Sequence, residues 1–127
     1  MKWYFKVLAH YFDFKGRARR REYWMSRFVF LMIILIFSLL ILILSLTYDD
    51  VEDSDIIFTL FGLFIFLHII PFYAVTVRRL HDIGKSGWFI FINLVPIFGN
   101  LIFLVNMLSD SEKGENKYGP NPKEENK

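Results

Sequence analysis

The sequence predicts an all-α membrane protein with three transmembrane helices and, ahead of them, an amphipathic helix lying at the membrane interface. Three observations lead there. Of the 127 residues, 54% are hydrophobic and 19% aromatic, more than a small soluble core can hide. Lys, Arg, Asp and Glu are absent from 28–47, 56–77 and 88–108, runs of 20, 22 and 21 residues, and about 20 helical residues cross the roughly 30 Å of a bilayer's hydrocarbon core. The charges between those runs are sorted by sign. Residues 1–27 carry eight Lys/Arg against two acids and 78–87 carry three against one, whereas 48–55 carry five acids and no base. Under the positive-inside rule the N-terminus and the central loop are therefore cytoplasmic and the acidic turn is outside. The net charge of +2 hides these opposed fields. The expected organisation is one membrane domain over 1–108 and a polar tail over 109–127.

Residues 1–12 place Trp3, Tyr4, Val7, Leu8 and Tyr11 within one helical arc, with Lys2, Lys6 and Asp13 opposite, which predicts an interfacial helix on the inner leaflet. Charge interrupts this stretch and no small-residue cleavage site follows the first long apolar run, so it is not read as a secretory signal. A short helix packed on the protein's own loops is the alternative. Gly16 ends it, and Arg17, Arg19, Arg20 and Arg21 precede the membrane entry. Near an anionic leaflet each such cation is worth about 1 kcal/mol. Glu22 is expected to pair with Arg19 three residues away, the alternative partner being an arginine of the central loop.

The span 28–47 is rich in Leu, Ile and Phe and reads as an anchor. The five acids of 48–55 lack the ligand spacing and the Gly of a calcium loop and read as a solvated outward turn. In 56–77, Pro71 leaves the Leu67 carbonyl without its helical donor and predicts a kink. His68 is an ionisable group at membrane depth, for which a hydrogen bond to a neighbouring helix is the plain role. In 88–108, Asn93 and Asn100 stand seven apart, on one face of a continuous helix, where interhelical hydrogen bonds are their expected use. This third span places the tail outside by parity. Pro96 to Gly99 offers the alternative of a re-entrant segment that returns the tail to the cytoplasm. Trp3, Trp24 and Trp88 all fall at the expected inner interface. The tail is rich in turn residues and poor in aliphatics, so it packs on the helix ends or not at all.

Between the second and third spans lies Arg78-Arg79-Leu80-His81-Asp82-Ile83-Gly84-Lys85-Ser86-Gly87, the stretch around which the chain is organised. Arg78 and Asp82 are four apart and can pair, Gly84 stops the helix and Ser86 caps the next one. His81 has no role in that account. A hydrolase reading of His81, Asp82 and Ser86 fails on geometry, because adjacent helical residues point about 100° apart. Gly84-Lys85-Ser86 imitates the end of a phosphate-binding loop, but position 79 is Arg where Gly is needed. With zero Cys there is no thiolate chemistry, and three scattered histidines do not make a metal site. No cofactor is expected, and nucleic acid is a poor partner because the basic residues are accounted for by the membrane's inner face.

Together Phe14, Gly16, Arg17, Arg19, Arg20, Glu22, Tyr23 and Trp24, then Pro71, Arg78 to Asp82, Gly84, Ser86 to Trp88, Pro96, Gly99, Asn116, Tyr118 to Pro120 and Pro122 resemble the pattern of the bacterial family called domain of unknown function 805, small inner-membrane proteins of the YhaH type. The resemblance implies a location in the plasma membrane and brings no activity with it. The expected function is a non-catalytic interaction or scaffold protein whose basic face binds anionic lipid, a membrane-protein partner or a second copy, through Arg17, Arg19, Arg20, Arg78, Arg79, His81, Asp82 and Lys85. Two other classes are an oligomeric channel or transporter subunit, dependent on Asn93 or Asn100, and a lipid head-group-modifying enzyme, dependent on His81.

Overall fold

A computed structural model describes residues 2–47 and 52–124, without the side chains of 52–55. The chain is all-α in its regular elements: α1 (Lys2–Ala9), α2 (Arg20–Thr47), α3 (Glu52–Asp82), a 3-10 helix (Gly87–Leu94) and α4 (Phe98–Leu108). Two of these, α2 and α3, are long and apolar enough to cross a membrane. They have 28 and 31 residues, about 42 and 46 Å at 1.5 Å per residue. Their outer surfaces carry Leu35, Leu39, Ile43, Leu63 and Phe66, all exposed, as expected where lipid is the solvent. The acidic turn at 48–55 lies outside the described residues, apart from the backbone of 52–55, which already belongs to α3.

The third apolar run is not a through-going helix. It is a 3-10 helix of eight residues and an α-helix of eleven, too short at about 16 Å to span. The break has a backbone cause. Pro96 has no N–H to continue a helix, and Ile97 sits at φ 64, ψ −67 while the Phe98 N–H bonds the Pro96 carbonyl at 2.7 Å, a three-residue γ-turn of the uncommon positive-φ kind. Gly99 then lets α4 approach the 3-10 helix, because a Cβ there would stand 1.9 Å from the Ile92 carbonyl oxygen. Of the two amides expected to bridge helices, Asn93 is turned back on the Ile90 carbonyl of its own segment and Asn100 is exposed; Asn106 likewise bonds the Ile102 carbonyl.

The segment thus leaves the end of α3 and comes back to it. Trp24 Nε1 and Arg79 both donate to the Met107 carbonyl, at 3.3 and 3.4 Å, and the Glu112 N–H donates to the Asp82 carbonyl at 2.9 Å. Residues 109–124 therefore lie at the same end of the molecule as Arg17 and Asp82. The run expected as one long helix is thus two short ones, and the tail packs at the end of the molecule that holds Arg17 and Asp82.

The apolar arc of α1 covers α2 and α3. Tyr4 and Val7 are buried, the Tyr4 hydroxyl meets His68 Nε2 at 2.6 Å, and His68 Nδ1 donates to the Phe64 carbonyl at 2.7 Å. Tyr11 donates to the carbonyl of Leu67, the acceptor that Pro71 leaves without a helical donor. His68 thus has a structural place among Phe30, Phe64 and Phe72. The face expected to meet lipid is largely spent on the protein itself, although Phe5 and Phe12 remain exposed.

Candidate functional site

At the end where α1, the start of α2, the end of α3 and the tail meet, the interior is ionic. Arg17, Glu22, Arg78, Arg79 and Asp82 are all buried. α3 stops here in a Schellman arrangement, with the Lys85 N–H on the Leu80 carbonyl at 2.9 Å and the Gly84 N–H on that of His81 at 3.1 Å. Gly84 takes the φ of 73° this requires. Ser86 Oγ accepts from the Trp88 N–H, as expected of a cap.

Asp82 is the hub of this interior. Its Oδ1 accepts from Arg17 Nε at 3.1 Å, and its Oδ2 from Arg79 and, at 2.6 Å, from the Ser111 hydroxyl. Arg17 uses all five of its N–H donors: besides Oδ1 it reaches the carbonyls of Asp82 (3.3 Å), Glu112 (2.5 Å), Gly114 (2.7 Å) and Gly119 (3.2 Å). A tail poor in aliphatics is thus held largely by guanidinium bonds to its backbone carbonyls, three of them from Arg17. Arg79 also donates to the carbonyls of Met107 and Ser109 and Arg20 to that of Leu108, so cations meet the negative end of α4. A second ion group joins Glu22 to Arg78 at 3.1 Å and to Lys6 at 3.0 Å. Glu22 pairs across the fold with Arg78, not locally with Arg19, and Asp82 takes Arg79, not Arg78.

His81 stacks on the Tyr118 ring, centroids 3.7 Å apart and 5° from parallel, and Nδ1 donates to the Gly16 carbonyl at 3.2 Å. Asp82 faces Arg17, Arg79 and Ser111 instead of this ring. His81, beyond the apolar run of α3 and among tail residues, has its pKa pushed below the ordinary 6.5 by burial first, opposed by the Gly16 bond and helped by Lys117. The unfolded chain then binds this proton more tightly. Stability is complete above about pH 6.5 and is lost as the pH falls through that value towards the lower folded one. The melting temperature of the parent should drop more than that of His81→Phe between about pH 7.5 and about pH 5.5; parallel curves would show that the ring does not titrate in this way.

Of the predicted site residues, Arg17, Arg78, Arg79 and Asp82 are brought together inside, His81 closes the tail over them, and Arg19 donates to the Pro122 carbonyl. Arg20 stays exposed, and Lys85 lies over the Phe89 ring at 4.3 Å. Arg27 is absent from the predicted set. It faces a cavity of about 380 Å³ between α2, α3 and the hairpin of the 3-10 helix and α4. Its signal is legible: it is the last cation before the apolar run, with no acid three or four residues away on either side.

Comparison with known proteins places the chain among inner membrane proteins. The chain is similar to the inner membrane protein YhaH of Escherichia coli (strain K12), 42% identical over 123 residues, 97% of this chain and 98% of that protein. It is 36% identical to the inner membrane protein YhaI of the same strain over 97% of each, and 33% identical to the protein YiiR over 85% of this chain and 84% of that one. No solved structure matches. The model of the family described as protein of unknown function, DUF805, matches residues 11–120, nearly the whole of the ionic end and the helices it joins, and the chain belongs to that family.

Proposed function

We propose that the chain is an integral protein of the bacterial inner membrane that acts by interaction and not by catalysis, its basic end resting on an anionic leaflet. The observation that carries this reading is the division of the cations. Arg17, Arg78 and Arg79 are consumed inside by Asp82, Glu22 and backbone carbonyls, while Lys15, Arg20 and Arg21 are exposed where the apolar shafts of α2 and α3 begin. Each exposed cation near an anionic leaflet contributes about 1 kcal/mol. Asp82, engaged by two guanidiniums and a hydroxyl, is not free to orient His81 as a base, which supports a non-catalytic role. Protein extracted into polymer discs from vesicles of mixed phosphatidylglycerol and phosphatidylethanolamine should carry more phosphatidylglycerol than the vesicles hold. The variant Lys15→Gln, Arg20→Gln, Arg21→Gln should lose that enrichment, and discs of vesicle composition from the parent would overturn the reading.

The same reading puts both chain ends in the cytoplasm, with α2 and α3 as the two spans and the 3-10 helix and α4 as a re-entrant hairpin. Because the chain has no Cys, single cysteines report sidedness cleanly. Thr47→Cys should react with an impermeant maleimide in intact spheroplasts, and Lys15→Cys and Lys113→Cys only after lysis. Labelling of Lys113→Cys before lysis would restore three spans.

A further inference from the structure

We propose that the groove headed by Arg27 is a binding site for one anionic phospholipid, its phosphate on the Arg27 guanidinium and an acyl chain laid along Ile69 and Ile65. The first ground is charge. The ion pairs among the described residues engage Lys6, Arg17, Arg78, Arg79 and Lys123 with carboxylates, and Arg27 is not among them. Its Nη2 donates to Thr76 Oγ1 at 3.1 Å. Thr76 Oγ1 in turn donates to the Phe72 carbonyl at 2.6 Å, which fixes the hydroxyl as an acceptor toward Arg27. The guanidinium lies over Tyr23 at 4.8 Å and over Phe72 at 5.5 Å. It is oriented but not neutralised.

The second ground is position. Arg27 stands at the first residue before the charge-free run 28–47, where one wall is protein and the other is lipid. Arg27 is exposed there; a cation at the edge of an apolar shaft takes an anionic partner when one is within reach, and the planar fork of an arginine matches two phosphate oxygens. The third ground is shape. The cavity of about 380 Å³ is in the range of small-molecule sites, and Arg27 is the one charged residue of an otherwise mostly apolar lining. Thr76 lies with Arg27 at the charged end, and Ile69 and Ile65 continue the lining along α3. From Thr76 to Ile65 is eleven residues, about 16 Å of helix at 1.5 Å per residue, a run suited to an acyl chain and not to a compact polar solute.

This deepens the reading of the basic end by adding one stoichiometric site to a diffuse attraction, and the two can fail separately. The experiment is native mass spectrometry of delipidated, detergent-held protein titrated with phosphatidylglycerol or phosphatidylcholine. The expected result is one phosphatidylglycerol per chain, held at least about tenfold more tightly than phosphatidylcholine. Arg27→Gln should abolish that preference and Arg27→Lys should restore part of it. Ile69→Trp, which fills the apolar length and leaves the cation, should weaken both lipids, and unchanged thermal melting of Arg27→Lys and Ile69→Trp keeps loss of fold apart from loss of site. Arg21→Gln should leave the tight site intact. If phosphatidylglycerol binding depends on Arg21 as much as on Arg27, the groove is not the site although the basic end still attracts anionic lipid. Equal binding of both lipids overturns the role of the cation, and binding indifferent to Ile69→Trp overturns the groove.

Discussion

Asp82→Ala should release the tail and lower the stability of the ionic end by about 3–5 kcal/mol, the range for removing one partner of a buried ion group. The mechanism is the charge left behind. Arg17 and Arg79 are both buried against this carboxylate, and their remaining bonds go to backbone carbonyls, which offset only part of a full charge. Ser111 loses its acceptor at the same time. The loss should be local. α2 and α3 are held in place by the length of their apolar runs, so helical content should persist. Tail residues 109–124, which Arg17 and Arg79 hold through the carbonyls of Glu112, Gly114, Gly119 and Ser109, should become accessible together. Limited trypsin digestion should then cut Asp82→Ala at Lys113 and Lys117 while the parent resists, and the melting transition in detergent should fall with it. A variant that melts and resists digestion like the parent would mean that the ion group is dispensable.

Much of the fold is legible in the amino-acid sequence, and the parts that are not share a cause. A charge-free run of helical length predicts α2 and α3 because bilayer thickness is a property of length and composition. The same arithmetic applied to 88–108 predicts one long helix where the chain forms a 3-10 helix and α4, since hydropathy is blind to Pro96, to the φ of Ile97 and to the approach that Gly99 allows. Ion partners mislead in a similar way. Spacing of three or four suggests Arg19 with Glu22 and Arg78 with Asp82, but the partners formed are Arg78 with Glu22 and Arg17 with Asp82, 56 and 65 residues apart, the latter pair joined by Arg79, three residues before Asp82. Sequence adjacency gives candidates for pairing; only the fold says which carboxylate is nearer. The arc of α1 is apolar as its spacing implies, and nothing in its pattern distinguishes a lipid from the flanks of α2 and α3 as its cover. The residues of the ionic end all stand out in the sequence, and what their pattern withholds is that most of them face one another.

Gly99→Ala separates the two descriptions of the third run by the sign of its effect. In a continuous transmembrane helix over 88–108, replacing Gly by Ala adds helix propensity and should stabilise by about 1 kcal/mol. In the hairpin, the added Cβ would stand 1.9 Å from the Ile92 carbonyl oxygen, 2.9 Å from its carbon and 3.1 Å from the Val95 side chain. The obstacle is backbone, which has no rotamer to change, so the cost should exceed the roughly 1–3 kcal/mol of an ordinary overpacked site. Because α4 delivers the Met107 and Ser109 carbonyls to Arg79, moving it should loosen the same latch that Asp82 holds. Its trypsin pattern should therefore resemble that of Asp82→Ala, with faster amide exchange at Gly99 and Leu101, whose N–H groups bond the Val95 and Ile97 carbonyls at the hairpin's turn. A melting temperature raised by the alanine would show that the run crosses the membrane as one helix and that the tail's contacts with Arg17 are not those of the folded protein. A lowered one, with the tail exposed, fixes the hairpin and puts both chain ends on one side.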